Sequence, residues 1–290
     1  MEAFFITIMM QKILYFLLTK SLGLYINLLS FVLPKKASQL AYGYFSEPRT
    51  GKLSKDNLPK ILQEAKAEII THNEDQFQAY IWEGNENTIL LVHGWESNAS
   101  RWENILPYLK KSKSTIIAID GPAHGLSSGI EFSIPKYAEF IHKAVEKYQP
   151  QYLIGHSLGG KSCLYYQYLY PNDSVKKIVV LGAPSDFRIL LNNYINLLSL
   201  NSTISTSLEN HYLTHFKQKV EDFSSQKFVS NLTIKGLIAH DSEDTVVSIK
   251  EAKKIANAWK NAQFIETKGL GHSLHDDVLY ENIYRFLFEA

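Results

Sequence analysis

Four short and almost wholly apolar runs in the middle of this chain constrain its fold more than any other feature. They read TILLVHG, STIIAID, QYLIGHS and VKKIVVLGAP, and segments with helical spacing of apolar residues, such as PKYAEFIHKAVEKY, lie between them. A strand that is apolar on both faces has to be covered on both faces, as in a parallel sheet with crossover helices. We therefore predict an α/β fold with a mostly parallel central sheet and helices on both faces.

The alternation of apolar strands with helical segments is interrupted at two places. Before the four runs, AEIITHN and QFQAYIWEG alternate around Asn73–Asp75, which predicts a hairpin at the start of the sheet. After the sixth strand, residues 185–229 contain no strand candidate and are typical of two or three helices. We predict that they form a helical cap over the carboxyl ends of the strands, the edge where open α/β sheets bind ligands.

Five ranges follow from this pattern. We predict an apolar N-terminal helix at 1–33, a connector at 34–64, a core made of 65–184 and 230–290, and the helical cap at 185–229. A chain of 290 residues is long enough for one large α/β domain with a substantial core.

Charge and cysteine content exclude several classes of protein. The 30 basic and 29 acidic residues give a net charge of +1, which provides no electrostatic reason to expect nucleic acid as a partner. The single cysteine, Cys163, rules out an internal disulfide and a cysteine-based zinc cluster. We expect no metal and no cofactor, and the low cysteine content favours a reducing compartment, so we predict a cytoplasmic location.

The first 33 residues are far more apolar than the rest of the chain. A spanning helix needs roughly 18 residues with few or no charges, and Lys12 and a second lysine interrupt the segment. Helical spacing instead predicts a narrow polar stripe, formed by Lys20, Gly23, Asn27 and Ser30. Two interpretations stay open: a helix at a membrane surface, or a helix that covers an apolar groove on its own domain or on a second copy. Met10 is an alternative start of the chain.

The string GHSLGG, at residues 155–160, follows a predicted strand and opens a predicted helix. A strand–Gly-x-Ser-x-Gly–helix unit forms a sharp elbow that exposes the serine hydroxyl. Gly155 and Gly159 leave room for the neighbouring strand and helix, so Ser157 is a candidate nucleophile. A serine hydroxyl needs a base to remove its proton, so an acid and a histidine should follow at later strand ends.

Both groups appear in the expected places. The acid lies in AHDSEDTVVS, where Asp241, Glu243 and Asp244 compete; we predict Asp244, which precedes Val247 by three residues, and expect Glu243 to face solvent. The histidine is His272, in GLGHS after the last strand candidate. Such an acid would hold the imidazole in one tautomer and stabilise its cation.

The order Ser157, acid, His272 resembles that of the α/β-hydrolase superfamily, and the resemblance extends over about residues 65–290. LLVHGW is similar to the family's oxyanion loop. The resemblance implies that the backbone N–H groups of Trp95 and Leu158 stabilise the oxyanion, and that His93 packs beside them.

DGPAHGLSS is similar to the family's Asp-x-x-Gly-x-Gly-x-Ser loop, with Ala123 where glycine is common. The resemblance implies structural roles for Asp120 and Ser127. Dehalogenases and epoxide hydrolases of the fold carry an aspartate where this chain has Ser157, which argues against both activities.

These observations predict a serine hydrolase that cleaves a carboxylic ester through an acyl-enzyme on Ser157. The cap is rich in apolar side chains, so we expect a small-molecule ester with an apolar acyl or alcohol group. A C–C bond or peptide hydrolase of the same fold is the alternative, and a catalytically silent binding protein is a third hypothesis. The sequence leaves open the oligomeric state and a peripheral membrane contact through residues 1–33.

Overall fold

The computed structural model of this protein describes the backbone of residues 2–289 and the side chains of 9, 10 and 13–289. Lys12 lies outside the described side chains. The helices are α1 (Glu2–Val32), α2 (Pro34–Ser46), α3 (Lys60–Gln63), α4 (Leu106–Lys110), α5 (Ile134–Tyr148), α6 (Leu158–Leu169), α7 (Phe187–Leu198), α8 (Ser202–Phe216), α9 (Ser225–Val229), α10 (Ile249–Ala258) and α11 (Asp277–Phe288). The strands are β1 (Lys66–His72), β2 (Asp75–Trp82), β3 (Asn85–Val92), β4 (Ser114–Ile119), β5 (Tyr152–His156), β6 (Lys177–Leu181), β7 (Lys235–Asp241) and β8 (Ala262–Thr267).

Within the described part of the chain, eight strands form one sheet in the order β1-β2-β4-β3-β5-β6-β7-β8. The hairpin of β1 and β2 is antiparallel and β2 runs antiparallel to β4, whereas the pairs from β4 to β8 are all parallel. The parallel strands are the apolar runs of the sequence, and Leu90, Leu153 and Val179 on them are fully buried. The predicted fold class, with its hairpin and its parallel core, is confirmed.

The parallel arrangement gathers distant parts of the sequence at one edge of the sheet. The segments that follow β3, β4, β5, β7 and β8 all leave from carboxyl ends of parallel strands, because these strands point the same way. They are 93–96, 120–128, the elbow at Ser157, 242–247 and 268–273. The predicted residues Trp95, Ser157, Asp244 and His272 lie in these segments, whereas the competing acid Asp241 is the last residue of β7.

The chain divides into two compact units, and the division differs from the one we predicted. One unit, the core unit, is 47–185 with 224–290, and it contains the sheet. The other, the helical unit, is 1–46 with 186–223, so α1 and α2 form one unit with the cap helices α7 and α8. Helix α9, which we had assigned to the cap, belongs to the core unit.

The polar stripe of α1 accounts for part of the helical unit. The Nζ of Lys20 donates to the carbonyl oxygens of Asn196 (3.0 Å) and Leu197 (2.9 Å) and to the hydroxyl of Ser199 (2.7 Å). These carbonyls belong to the last turn of α7, where helical C=O groups lack intrahelical partners and favour a cation. Lys20 therefore caps a helix of its own unit.

The rest of the stripe faces the same joint between α7 and α8. The Asn27 amide donates to the carbonyl of Ser199 and accepts from the backbone N–H of Asn201, both at 2.8 Å. A Cβ added at Gly23 would lie 1.7 Å from the carbonyl oxygen of Leu198, so only glycine allows this close approach. The stripe is thus an internal contact surface of the helical unit.

Candidate active site

The nucleophile elbow is built by backbone constraint. Ser157 follows β5 and occupies the N-cap position of α6. Its φ is +52°, a backbone conformation that residues other than glycine rarely adopt. A Cβ at Gly155 would lie 2.5 Å from the Cα of Gly160, and one at Gly159 would lie 2.2 Å from the carbonyl oxygen of His93. The two glycines therefore allow the chain to turn sharply enough to present the serine hydroxyl.

Three predicted side chains meet at this elbow. The Nε2 of His272 lies 3.0 Å from the Oγ of Ser157, and its Nδ1 lies 2.7 Å from the Oδ2 of Asp244. A carboxylate can only accept, so Nδ1 carries the proton and Nε2 presents its lone pair to the serine hydroxyl. The imidazole is one-fifth exposed, whereas the Asp244 side chain is fully buried. This orientation allows His272 to remove a proton from Ser157.

Asp244 is held as a carboxylate by its hydrogen bonds. Burial alone would raise its pKa, but bonds from His240, His272 and the backbone N–H groups of Val246 and Val247 together hold the pKa of Asp244 well below its usual range. The two backbone bonds reach Oδ1 at 2.8 and 3.0 Å. The carboxyl is thus ionised over the whole range in which a histidine can act as a base.

The competing acids of the same segment have other partners. Asp241 accepts from the Thr267 hydroxyl (2.8 Å) and from the backbone N–H of Leu270 (2.9 Å), and it ties β7 to the loop after β8. Glu243 is exposed and lies 3.9 Å from Lys268. Of the three candidates in this segment, only Asp244 contacts His272 in the hydrogen bonds described.

His93 makes two hydrogen bonds that hold the loop predicted to carry one of the two oxyanion donors. Its Nδ1 donates to the carbonyl of Gly94 (2.7 Å), and its Nε2 accepts from the backbone N–H of Gly121 (2.8 Å). In a trans peptide the N–H points opposite to the preceding C=O, so fixing the Gly94 carbonyl fixes the direction of the Trp95 N–H. Burial, more than any neighbour, holds the pKa of His93 well below its usual value, so the ring stays neutral.

Gly94 brings this loop against the nucleophile, since a Cβ there would lie 2.9 Å from the Cβ of Ser157. The N–H of Leu158 is the first of α6 and has no intrahelical acceptor. Trp95 itself packs edge-on against the rings of His124 and Phe132, at centroid distances of 5.6 and 5.5 Å. The N–H of Leu158 and the loop that carries the Trp95 N–H therefore lie beside the serine, and the role of both N–H groups as oxyanion donors stays a prediction.

The loop after β4 is held by hydrogen bonds to Asp120. Asp120 is fully buried and accepts from the backbone N–H groups of Ala99 and Leu126, both at 2.9 Å, while Ser127 donates to the Asp120 carbonyl. Burial raises the pKa of Asp120 to about 6. Ala123 has φ of +61°, which explains why glycine suits this position. No hydrogen bond described for Asp120 reaches Ser157 or His272.

Sequence reasoning did not assign a role to two histidines of the site. His240 is fully buried and points its Nε2 at the Val247 carbonyl (2.8 Å) and at the Asp244 carboxylate (3.3 Å). His156 donates its Nε2–H to the carbonyl of His272 (2.8 Å). His156 lies beside Ser157 in the motif, and His240 is the second residue of the acid segment, so these positions in the sequence were the only signal of a role in the site.

The remaining reactive residue types have structural surroundings. Burial raises the pKa of the Cys163 thiol, so it is held as a packed thiol. His211 and His215 stack at 4.0 Å within the helical unit, and burial lowers the pKa of His211 to about 4. Over the residues that the structure describes, no group of three or more His, Cys, Asp or Glu side chains could hold a metal ion.

A serine elbow, an imidazole and a buried carboxylate at the carboxyl edge of a parallel sheet define a class of protein, the α/β-hydrolases. A family model described as the alpha/beta hydrolase fold matches residues 87–201. A putative lipase from Acinetobacter baumannii superposes with a TM-score of 0.61 over 81% of this chain and 98% of its own, at 19% identity. Mouse alpha/beta hydrolase domain-containing protein 10 also gives 0.61, over 77% and 97%, at 16% identity. These likenesses show that the chain has the α/β-hydrolase fold.

Curated relatives match a shorter stretch. A serine hydrolase-like protein of Danio rerio is 34% identical over 99 residues, which is 32% of this chain and 30% of that protein. Monoacylglycerol lipase ABHD6 of Homo sapiens is 30% identical over 112 residues, 35% of this chain and 33% of the lipase. The chain thus spans about a third of the length of these relatives. The names of these relatives are those of hydrolases.

Proposed function

We propose that this protein is a serine hydrolase that cleaves carboxylic esters through an acyl-enzyme on Ser157. The observation that carries the proposal is the 3.0 Å distance between the Ser157 Oγ and the His272 Nε2, on a ring whose Nδ1 donates to Asp244. A hydroxyl with an oriented base and an oriented acid behind it is activated for attack on a carbonyl carbon.

In the acylation step, the Ser157 oxygen forms a bond to the ester carbonyl carbon while its proton passes to His272. Negative charge collects on the former carbonyl oxygen, where the N–H groups of Trp95 and Leu158 stabilise it. The tetrahedral state collapses when the C–O bond to the alcohol breaks. His272 then gives its proton to the departing alcohol oxygen.

In the deacylation step, water takes the place of the alcohol. His272 removes a proton from the water as its oxygen bonds to the acyl carbon, and the same backbone N–H groups stabilise the second oxyanion. The bond to the Ser157 oxygen breaks, the serine recovers its proton from His272, and the carboxylic acid leaves. Asp244 remains ionised throughout and stabilises the imidazolium in both steps.

We assign the substrate to esters with an apolar acyl or alcohol group. Eight of the twelve side chains of helix α7, FRILLNNYINLL, are apolar, and α7 lies in the segment between β6 and β7 that the sequence predicts to be the cap. Names of an esterase and of monoacylglycerol lipases among the relatives agree with this class.

A fluorophosphonate probe tests the enzyme class. We expect covalent labelling of the wild type and of Ser162→Ala, a matched serine one turn further along α6, and none of Ser157→Ala. Equal labelling of the Ser157→Ala variant, or none of the wild type, would contradict the proposal and favour a catalytically silent binding protein.

A series of p-nitrophenyl esters from acetate to dodecanoate tests the substrate class. We expect kcat/KM to rise with chain length by roughly tenfold or more, since each buried CH₂ contributes about 0.8 kcal/mol. A flat profile would contradict the apolar assignment. Labelling by the probe without hydrolysis of any ester would shift the reaction to C–C or amide bonds.

We also propose that α1 attaches the protein to a lipid bilayer. The segment Ile13–Val32 is long and apolar enough to cross a membrane, and one-sixth of it is buried. Six consecutive residues, 13–18, are all about half exposed or more, and at about 3.6 residues per turn they cover every side of the helix. An interfacial helix would keep one polar side, so this pattern fits insertion into hydrocarbon.

The charge of Lys20 does not oppose this attachment, because the ammonium is occupied by carbonyls of α7. Beyond Gly23 the exposed residues of α1 lie away from its buried positions, and Leu24, Leu28 and Phe31 are all more than half exposed. The apolar surface of α1 that the structure describes therefore extends from Ile13 to Val32, with its polar stripe turned inward.

Substitution on this surface tests the attachment. We expect wild-type protein to sediment with phosphatidylcholine vesicles and Leu17→Glu/Leu28→Glu to stay in solution, since a charge in hydrocarbon costs about 2.5–3.5 kcal/mol. The control is Ile130→Glu/Val278→Glu, two exposed apolar residues of the core unit that should not matter. If the wild-type protein is a soluble dimer that does not bind vesicles, a second copy of the chain covers α1 instead.

A further inference from the structure

A buried lysine lies one helical turn beyond the nucleophile and takes no part in the proposed reaction. Lys161 is fully buried on α6, and its backbone N–H donates to the carbonyl of Ser157 at 3.1 Å. Burying an ammonium group removes its hydration, so specific contacts have to offset the free-energy cost of this desolvation. The contacts of Lys161 therefore indicate its structural role.

The ammonium reaches the two segments at which residues 186–223 leave and rejoin the core unit. Its Nζ donates to the carbonyl of Ser185 at 2.5 Å and lies 3.4 Å from the hydroxyl of Ser225. It also lies 5.2 Å from the ring centre of Phe228, within range of a cation–π interaction. Ser185 and Ser225 are themselves fully buried.

The two segments are also bonded to each other, and we call residues 184–185 and 224–226 the neck. The backbone N–H of Ser225 donates to the same Ser185 carbonyl at 2.9 Å, and the Ser225 hydroxyl donates to the Pro184 carbonyl at 3.2 Å. The N–H of Gln226 reaches the Ser185 hydroxyl at 3.3 Å. Lys161 and Ser225 thus share one acceptor, and the lysine joins the neck to the helix that begins at Ser157.

We infer that Lys161 is a positioning residue of the proposed hydrolase, which fixes the neck to the nucleophile helix and thereby sets which acyl groups the enzyme accepts. The inference rests on the proposed function, because its substrate is the ester described above. A short ester needs only the elbow and the oxyanion donors. A long acyl chain also needs the backbone beside the elbow held in place, and the neck continues from Gly182, where an added Cβ would lie 3.5 Å from the His272 ring.

The variant Lys161→Met keeps the length of the side chain and removes its charge. We expect kcat on p-nitrophenyl acetate to stay within about threefold of wild type, while KM for the decanoate rises by about tenfold. Lys161→Arg, which keeps a donor, should recover part of that loss.

Lys177→Met is the matched control. Lys177 also lies in the core unit, and it donates to two backbone carbonyls, those of Phe286 (2.6 Å) and Leu287 (2.9 Å), but it lies at the start of β6, away from the neck. We expect it to leave the ratio between the two esters unchanged. An equal loss on both esters in Lys161→Met, or the same change of ratio in Lys177→Met, would overturn the inference.

Two further measurements keep the inference testable. If Lys161→Met does not fold, Ser225→Ala can replace it, because this variant removes one contact of the lysine. We expect it to shift the ratio between the two esters in the same direction by a smaller factor. An unchanged ratio would count against the inference. Amide hydrogen exchange at Ser225 and Phe187 requires no substrate. Faster exchange in Lys161→Met than in Lys177→Met supports the role of Lys161 even for an enzyme inactive on every ester, and equal exchange contradicts it.

Discussion

His240 and His272 bind the same oxygen of Asp244 from two sides. The Nε2 of His240 lies 3.3 Å from Oδ2, and the Nδ1 of His272 lies 2.7 Å from it. The His240 Nε2 also faces the Val247 carbonyl, and since both neighbours are acceptors, this nitrogen carries the proton. A fully buried ring thus fixes the rotamer of the carboxylate that orients the base.

The variant His240→Phe should preserve the ring shape and remove the N–H. We expect kcat to fall by about tenfold with little change in KM, since a hydrogen bond to a charged group contributes about 1.5–3 kcal/mol. The pKa of Asp244 should rise because one of the bonds that lower it is lost. His240→Gln, which retains a donor, should be closer to wild type; a wild-type kcat in His240→Phe would contradict this role.

Asp244→Asn and Asp241→Asn separate the two candidate acids. We expect Asp244→Asn to lose about 10⁴-fold in kcat, because an amide no longer selects the reactive imidazole tautomer. Asp241→Asn should retain kcat within about tenfold and lower the free energy of unfolding by about 1–3 kcal/mol, since its partners Thr267 and Leu270 lose a charged acceptor. Steady-state kinetics and urea denaturation measure both. A reversal of the two results would assign the acid to Asp241.

His93→Phe tests the orientation of the Trp95 N–H. Without the bond from the ring to the Gly94 carbonyl, the peptide that carries this N–H is free to rotate. We expect kcat to fall by about 10²-fold with KM nearly unchanged, as for the loss of an oxyanion donor. Because His93 is buried and its loss also destabilises the fold, kcat is to be normalised by fluorophosphonate titration of intact sites. An unchanged kcat per titrated site would exclude the role.

Three buried histidines predict how stability depends on pH. Burial lowers the pKa of His124 to about 4 and holds those of His93 and His156 well below the usual value of about 6.5. Below pH 6.5 the unfolded chain therefore binds more protons than the folded protein, and stability falls as the pH is lowered. Asp120 acts in the opposite direction, since its pKa is raised to about 6 and its protonation favours the folded state.

The histidines outnumber this carboxyl, so we expect the free energy of unfolding to decrease by on the order of 2 kcal/mol or more from pH 7 to pH 5. Urea denaturation at several pH values measures this. His124→Gln should flatten the dependence. Stability that is constant or rises toward pH 5 would contradict the assignment of neutral buried rings.

Lys20→Met distinguishes a helix cap from a lipid contact. Because Lys20 donates to carbonyls at the end of α7, we expect the variant to lose about 1–2 kcal/mol of stability and to bind anionic vesicles as well as wild type. Lys35→Met, an exposed lysine at the start of α2, is the control and should leave stability unchanged. Weaker binding of Lys20→Met than of Lys35→Met would place the ammonium at the headgroups.

Local pattern was enough to predict the elbow, because a strand, two glycines, a serine and a helix have to be neighbours in the chain to form it. It was also enough to choose His272, which follows the last strand. The polar stripe on α1 was predicted from spacing alone, but its partner was not. The carbonyls that Lys20 caps are about 176 residues away in sequence, and backbone carbonyls carry no sequence signal.

The roles of His93 and His240 illustrate the same limit inside the site. Each acts on a backbone carbonyl or a carboxylate whose direction is set by a loop, and loop geometry results from the packing of several strands. The grouping of α1 with the cap helices, rather than as a separate N-terminal segment, also depends on contacts between distant residues.

The sequence by itself determined the fold class and the chemical identity of the reactive groups, because apolar periodicity and glycine positions act within a few residues. Only the tertiary structure decided which carboxylate faces His272, which rings fix the backbone around Ser157, and what the buried Lys161 holds. Most of those contacts join groups far apart in the sequence, 28 residues for Asp244 and His272 and 24 for Lys161 and Ser185, and such contacts exist only after the sheet has formed.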